Sequence, residues 1–106
     1  LTKDYGWLLE NLVFNCLNKT HEVFYYSETT ECDFLIVKNK EINLAIQVCY
    51  ELNDKNRERE IKGLTDAMEK FKLKEGLLLT DNQEEEFKIN GRKIIIKPVW
   101  KWLLNN

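Results

Sequence analysis

Glu31-Cys32-Asp33-Phe34-Leu35-Ile36-Val37 and Leu44-Ala45-Ile46-Gln47-Val48-Cys49-Tyr50 are the two segments whose pairing decides the fold. Both are apolar and of β type, and the polar stretch Lys38-Asn39-Lys40-Glu41 separates them. They read as strands over 31–38 and 42–50 joined by a tight turn. Each carries a polar residue within its apolar run, Asp33 in the first and Gln47 in the second. A carboxylate inside an apolar strand costs several kcal/mol unless partners or a metal compensate it, so Asp33 is the first candidate functional residue. With the turn centred near Asn39 or Lys40, an antiparallel pairing sets Asp33 opposite Ile46 or Gln47, where opposed Cβ atoms lie about 4.5–5.5 Å apart. Alternation puts Gln47 and Cys49 on one face and Ile46, Val48 and Tyr50 on the other. Asp33, Gln47 and Cys49 are therefore expected to line one patch.

Upstream, Asp4 to Asn18 reads as a helix. Tyr5, Leu8, Leu9, Leu12, Val13, Cys16 and Leu17 recur at helical spacing, and Asp4, Asn11, Asn15 and Asn18 gather opposite them. At about 100° per residue, Glu10 falls roughly 20° beyond Leu17, about 40° from Phe14 and about 60° from Trp7. An acid flanked by apolar residues on both sides either snorkels outward or points into a pocket. Glu22 to Glu28 reads as a further strand. Downstream, Glu51 to Asn56 is a polar loop. Arg57 to Lys72 is a second helix with Ile61, Leu64, Met68 and Phe71 as its apolar stripe. Gly76 to Thr80 has the continuous apolar character of a buried central strand. Asn90-Gly91, between Phe87-Lys88-Ile89 and Lys93-Ile94-Ile95-Ile96, is a hairpin signal. Pro98 is expected at the first position of a short terminal helix. The order is α-β-β-β-α-β, then a hairpin and a helix. It predicts an α/β (α+β) mixed sheet in a single domain over 1–106, with residues 42–80 forming a right-handed parallel crossover.

The chain has 106 residues, 43% hydrophobic and 32% charged, which is ordinary for one globular domain. A net charge of −2 and a pI near 5.5 are not the footprint of a domain that binds nucleic acid unaided. The three cysteines, at 16, 32 and 49, lack the spacing of a zinc site, and their odd number argues against a disulfide framework. They read as free buried thiols in a reducing, cytoplasmic compartment. No signal peptide or membrane-spanning run is visible. The first residue is Leu1 rather than Met, so the chain is expected to be part of a longer protein.

The spaced acids and the element order resemble the PD-(D/E)XK restriction-endonuclease-like fold. In that fold an aspartate on one hairpin strand is followed on the next by an acid or glutamine, a spacer and a lysine, with a glutamate from the preceding helix. More closely, the chain resembles the C-terminal domain that follows the ATPase module in bacterial and archaeal AAA-type ATPases. The residues that carry this are Leu9-Glu10-Asn11-Leu12-Val13, Glu31-Cys32-Asp33-Phe34, Ile46-Gln47-Val48-Cys49-Tyr50, Arg57-Glu58-Arg59-Glu60, Gly76-Leu77-Leu78-Leu79-Thr80 and Pro98-Val99-Trp100-Lys101-Trp102-Leu103-Leu104. The resemblance implies an αβββαβ core with Glu10, Asp33 and Gln47 as vestigial catalytic positions, Asp33 and Glu10 as candidate magnesium ligands, and Cys49 at the motif-lysine position. It also implies an ATPase domain of the same chain as partner. ATP would bind only there, because no phosphate-binding glycine loop occurs in these residues.

Cys49 departs from the pattern. The motif lysine positions the attacking water and offsets charge on the phosphate, and charge placed there is worth several kcal/mol in the transition state. A neutral thiol supplies no cation. Lys38 and Lys62 are the lysines considered as replacements, and Arg57 and Arg59 as contacts to a phosphate backbone. Asp33 has a plainer reading as a structural acid bonded to a neighbouring amide. Gln47 has one as a satisfied strand amide. His21 reads as a surface residue, and Trp100 and Trp102 as core and capping. The expectation is a degenerate, non-catalytic accessory or recognition domain of an AAA-type ATPase, with DNA as a candidate ligand and isolated-domain activity blocked at position 49. The alternatives are a metal-dependent DNA nuclease using Glu10, Asp33 and Gln47, and a pure protein-interaction domain.

Overall fold

A computed structural model describes residues 2–105, and side chains from residue 5. The side chain of Asp4, assigned above to the polar helix face, lies outside the described residues, as does Leu1. The elements run α1 (Thr2–Asn18), β1 (Glu22–Ser27), β2 (Glu31–Lys38), β3 (Glu41–Val48), α2 (Arg57–Lys70), β4 (Glu75–Thr80), β5 (Glu85–Ile89), β6 (Arg92–Pro98) and α3 (Val99–Leu104). The described residues form a mixed α/β fold with an αβββαβ core, a hairpin and a short last helix. The six strands lie in the order β1-β2-β3-β4-β6-β5. β1, β2 and β3 pair antiparallel, β4 is parallel to both β3 and β6, and β5 returns antiparallel along β6.

The β2–β3 turn places Asn39 and Lys40 at φ 55° and 66°, a left-handed pair that suits strand twist although neither residue is glycine. Asn90 and Gly91, at φ 51° and 78°, make the equivalent turn between β5 and β6. The apolar faces close two cores. Leu64 and Met68 of α2 pack on Cys32, Leu35, Ala45 and Leu78. Val13 and Leu17 of α1 and Trp102 of α3 pack on Phe34, Ile36, Ile46, Val48 and Leu79 on the other side. β4 is buried on both faces, as its continuous apolar run predicts.

Four expectations are corrected. β3 ends at Val48, so Cys49 and Tyr50 lie beyond it. They have lost β2 as a neighbour, although Cys49 N–H still donates to Leu79 O at 2.9 Å. Pro98 is the residue before α3 rather than its first, extended at φ −65° and ψ 144°. The apolar stripe of α1 is wider than its cover: Val13 and Leu17 are buried, but Tyr5, Leu8 and Leu12 are 48%, 55% and 47% exposed. Cys16 is half-buried, whereas Cys32 and Cys49 are buried, and all three are free thiols. Among the described residues no helix is long and apolar enough to cross a membrane.

Candidate functional site

The site grows from an irregularity in β2. Between Phe24 and Tyr26 the β1 register advances two residues while β2 advances three, from Leu35 to Cys32. The extra residue bulges β2 at Asp33 and Phe34. On the other side the β2–β3 ladder ends at Phe34 opposite Ile46. One step further the strands part, and two side chains take over the backbone's work. Gln47 Oε1 accepts from Asp33 N–H at 2.9 Å, and Asp33 Oδ2 accepts from Val48 N–H at 2.8 Å. The Gln47 amide also donates to Glu31 O and Glu60 O, both at 3.0 Å. Gln47 thus ties β2, β3 and α2 together from a buried position. Both of its hydrogens and one oxygen lone pair are used.

This tie requires Gly63. A Cβ built there would sit 2.0 Å from Glu31 O and 2.8 Å from Gln47 Nε2, so only glycine lets α2 approach the bulge.

The parted strands open a cavity of about 440 Å³ lined by Glu10, Glu28, Glu31, Asp33, Arg59 and Glu60, among others. Glu10 reaches it from α1, half-buried; Gln47 and Val48 line its floor. Glu10, Asp33 and Gln47 therefore converge. Cys49 does not line the cavity. It sits in the core beneath α2, where its thiol donates to Glu51 O at 3.4 Å and receives Asn56 Nδ2 at 3.6 Å. Lys62 is paired with Asp66 and is not part of the cavity lining, and Lys38 is exposed at the far end of β2. His21 is exposed and bonded to Thr20. Trp102 is buried but Trp100 is 53% exposed, so the terminal tryptophans are not one cluster.

Burial pushes the Asp33 carboxyl up to about 7 from an ordinary 3.8. The Val48 N–H opposes that rise, and the nearby Glu10 and Glu60 carboxylates add to it. Burial also raises Glu60, against the pull of Arg59, whose Nη2 lies 3.6 Å from Glu60 Oε1. Desolvation pushes the Cys49 thiol up to about 11, so it is neutral at pH 7.

Among the described residues no group of three or more His, Cys, Asp and Glu is arranged to hold a metal ion. Magnesium takes as few as one or two carboxylates from a protein, with water or phosphate completing the shell. Asp33 and Glu10, the two carboxylates that the resemblance assigns to magnesium, both line the cavity, whereas both amide hydrogens of Gln47 are committed to carbonyls. Sequence reasoning missed Glu28, Glu31 and Glu60 as lining residues, and the role of Gly63. A glycine inside an amphipathic helix pattern was the available signal for the last. The three glutamates carried none: Glu60 sits in the charged run Arg57–Glu60, and Glu28 and Glu31 sit in a polar turn and at the start of β2, where acids are ordinary.

No family model matches the chain. It is 40% identical over 116 aligned positions to an uncharacterized protein of Methanocaldococcus jannaschii, in an alignment taking in 97% of this chain and 26% of that protein. The chain spans about a quarter of the length of the curated relative it matches.

Proposed function

We propose that the chain is a degenerate, non-catalytic nuclease-like domain that serves as a recognition or docking unit for an AAA-type ATPase module of the same polypeptide, in the cytoplasm. One observation carries the non-catalytic reading: the charge of the cavity. Its wall holds the carboxyls of Glu10, Glu28, Glu31, Asp33 and Glu60 against the single guanidinium of Arg59. A phosphodiester entering it meets net repulsion, and the neutral Cys49 thiol lies outside the lining and offsets none of it. The consumed hydrogens of Gln47 support the same reading, because that side chain is committed to holding the strands. The ATPase module rests on the resemblance, and the greater length of the relative leaves room for it. DNA, as a candidate ligand, would be contacted outside the cavity.

The test is cleavage of single- and double-stranded DNA by the 106-residue chain with magnesium or manganese. No cleavage is expected. Cys49→Lys should not restore it, because position 49 faces the core rather than the cavity. Robust cleavage by the unmodified chain that Asp33→Ala abolishes would overturn the proposal.

A metal-dependent nuclease is the second reading, and Arg59 is the observation in its favour. It brings a cation to the wall that holds Asp33 and Glu10, from α2 rather than from the strand. In that reading Asp33 and Glu10 would hold a magnesium ion that offsets charge on the phosphate, Asp33 N–H and Val48 N–H would keep both strands fixed, and Arg59 would orient the phosphodiester. Loss of metal-dependent cleavage in Arg59→Ala, alongside loss in Asp33→Ala, would establish it.

A further inference from the structure

The two edges of the sheet are finished differently. β5 closes one edge with Glu85, Glu86 and Lys88 among its five residues, the kind of charge that keeps an edge from pairing. β1 forms the other edge with Glu22-Val23-Phe24-Tyr25-Tyr26-Ser27, which contains no lysine, arginine or proline. Among the described residues no strand lies beyond it. Its only charge is Glu22 at one end. Phe24 and Tyr25, neighbours that point to opposite faces, are 50% and 57% exposed. The irregularity in the β1–β2 pair adds its extra residue to β2, so β1 itself keeps a regular outer edge of backbone donors and acceptors.

We infer that β1 pairs antiparallel with β1 of a second copy, about a two-fold axis perpendicular to the sheet, so that one sheet runs through both copies. Such an axis joins residues on the same face, which leaves two registers that use most of the strand. Centring on Tyr25 would bring Glu22 opposite the partner's Glu28, and like charges directly opposed are unfavourable. Centring on Phe24 sets Phe24 against the partner's Phe24, Val23 against the partner's Tyr25, and Glu22 against the partner's Tyr26. No like charges then face each other, and both exposed aromatics gain cross-strand partners. Charge selects this register. The interface leaves the cavity and its lining intact and is independent of the function proposed above.

Because residue 24 faces itself, the register has a self-complementation test. Sedimentation of the 106-residue chain over a concentration series should show a monomer–dimer equilibrium. Phe24→Lys and Phe24→Glu should each weaken association about tenfold or more, since each sets like charges in direct opposition. Mixing the two variants in equal amounts should recover the dimer as a Lys–Glu heterodimer. Circular dichroism of each variant checks that it is folded, and Tyr25→Lys, on the opposite face of the strand, should also weaken the dimer. A chain that stays monomeric at every concentration would overturn the inference. So would a dimer that both single variants leave unchanged, or variants that lose the dimer and do not recover it on mixing.

Discussion

β4 and the open end of the β2–β3 pair are neighbours in the sheet but differ in who makes the hydrogen bonds. Along β4, from Gly76 to Leu79, the backbone pairs with β3 on one side and β6 on the other, and Thr80 pairs with β6 alone. Leu77 and Leu79 fill one core and Leu78 the other. The one polar side chain, Thr80, exchanges hydrogen bonds with Gln83 at 2.8 and 2.9 Å. Nothing there remains for a ligand. At the β2–β3 opening the ladder stops, and Asp33 and Gln47 act in place of backbone groups. Gln47 is almost fully spent in doing so, whereas Asp33 commits one oxygen to Val48 N–H while its residue still lines the cavity. A polar residue inside a strand can thus be structural and solvent-facing at once, and the two uses separate only when the bonds of each atom are followed.

Substitutions sharpen this contrast, beginning with the largest effect. Leu78→Ala removes a side chain with no exposure at the centre of the sheet and should cost about 2–5 kcal/mol in denaturant unfolding. Gly63→Ala should follow at about 3 kcal/mol, because its Cβ would meet the Glu31 carbonyl, which is backbone and cannot swing aside. Gln47→Glu places a carboxylate oxygen against the carbonyls of Glu31 and Glu60 and should cost about 2 kcal/mol. Unchanged stability in Gln47→Glu would break the reading of Gln47 as a brace and reopen position 47 as part of the site.

Asp33→Asn should have the smallest effect, and the opposite sign. The amide oxygen still accepts from Val48 N–H, while the repulsion from Glu10 and Glu60 disappears. The folded state holds the Asp33 proton more tightly than the unfolded chain does. The stability this proton confers is therefore fully present below pH 3.8 and is lost as pH rises through about 7. Asp33→Asn should consequently match the parent near pH 4 and exceed it by on the order of 1 kcal/mol at pH 8. Unfolding curves at the two pH values check this. A variant destabilised at both would mark Asp33 as a purely structural acid.

Much of the fold was legible in advance because its elements are written in local patterns. The apolar run of β4, the stripe Ile61–Leu64–Met68 of α2 and the Asn90-Gly91 turn each state their structure within a few residues. Ends were harder to read. β3 stops at Val48 although Cys49 and Tyr50 are good strand residues: β2 leaves the ladder after Ile46, and beyond Val48 only single bonds to the β4 side remain, from Cys49 N–H to Leu79 O and from Asp81 N–H to Tyr50 O. The α1 periodicity could not show that Tyr5, Leu8 and Leu12 would stay exposed, since a pattern marks an apolar face and not what covers it.

By itself the sequence determined the mixed sheet, the adjacency of β2 and β3, and the singularity of Asp33, Gln47 and Glu10, because period, turn chemistry and a carboxylate in an apolar run are properties of neighbouring residues. Only the tertiary structure decided that Gln47 braces three elements, that Gly63 makes room for that brace, that Glu60 and Arg59 join the cavity wall, and that Cys49 turns into the core. Each of these depends on where α2 settles against the bulge in β2. That position is set by packing among residues far apart in the chain, which no local pattern records.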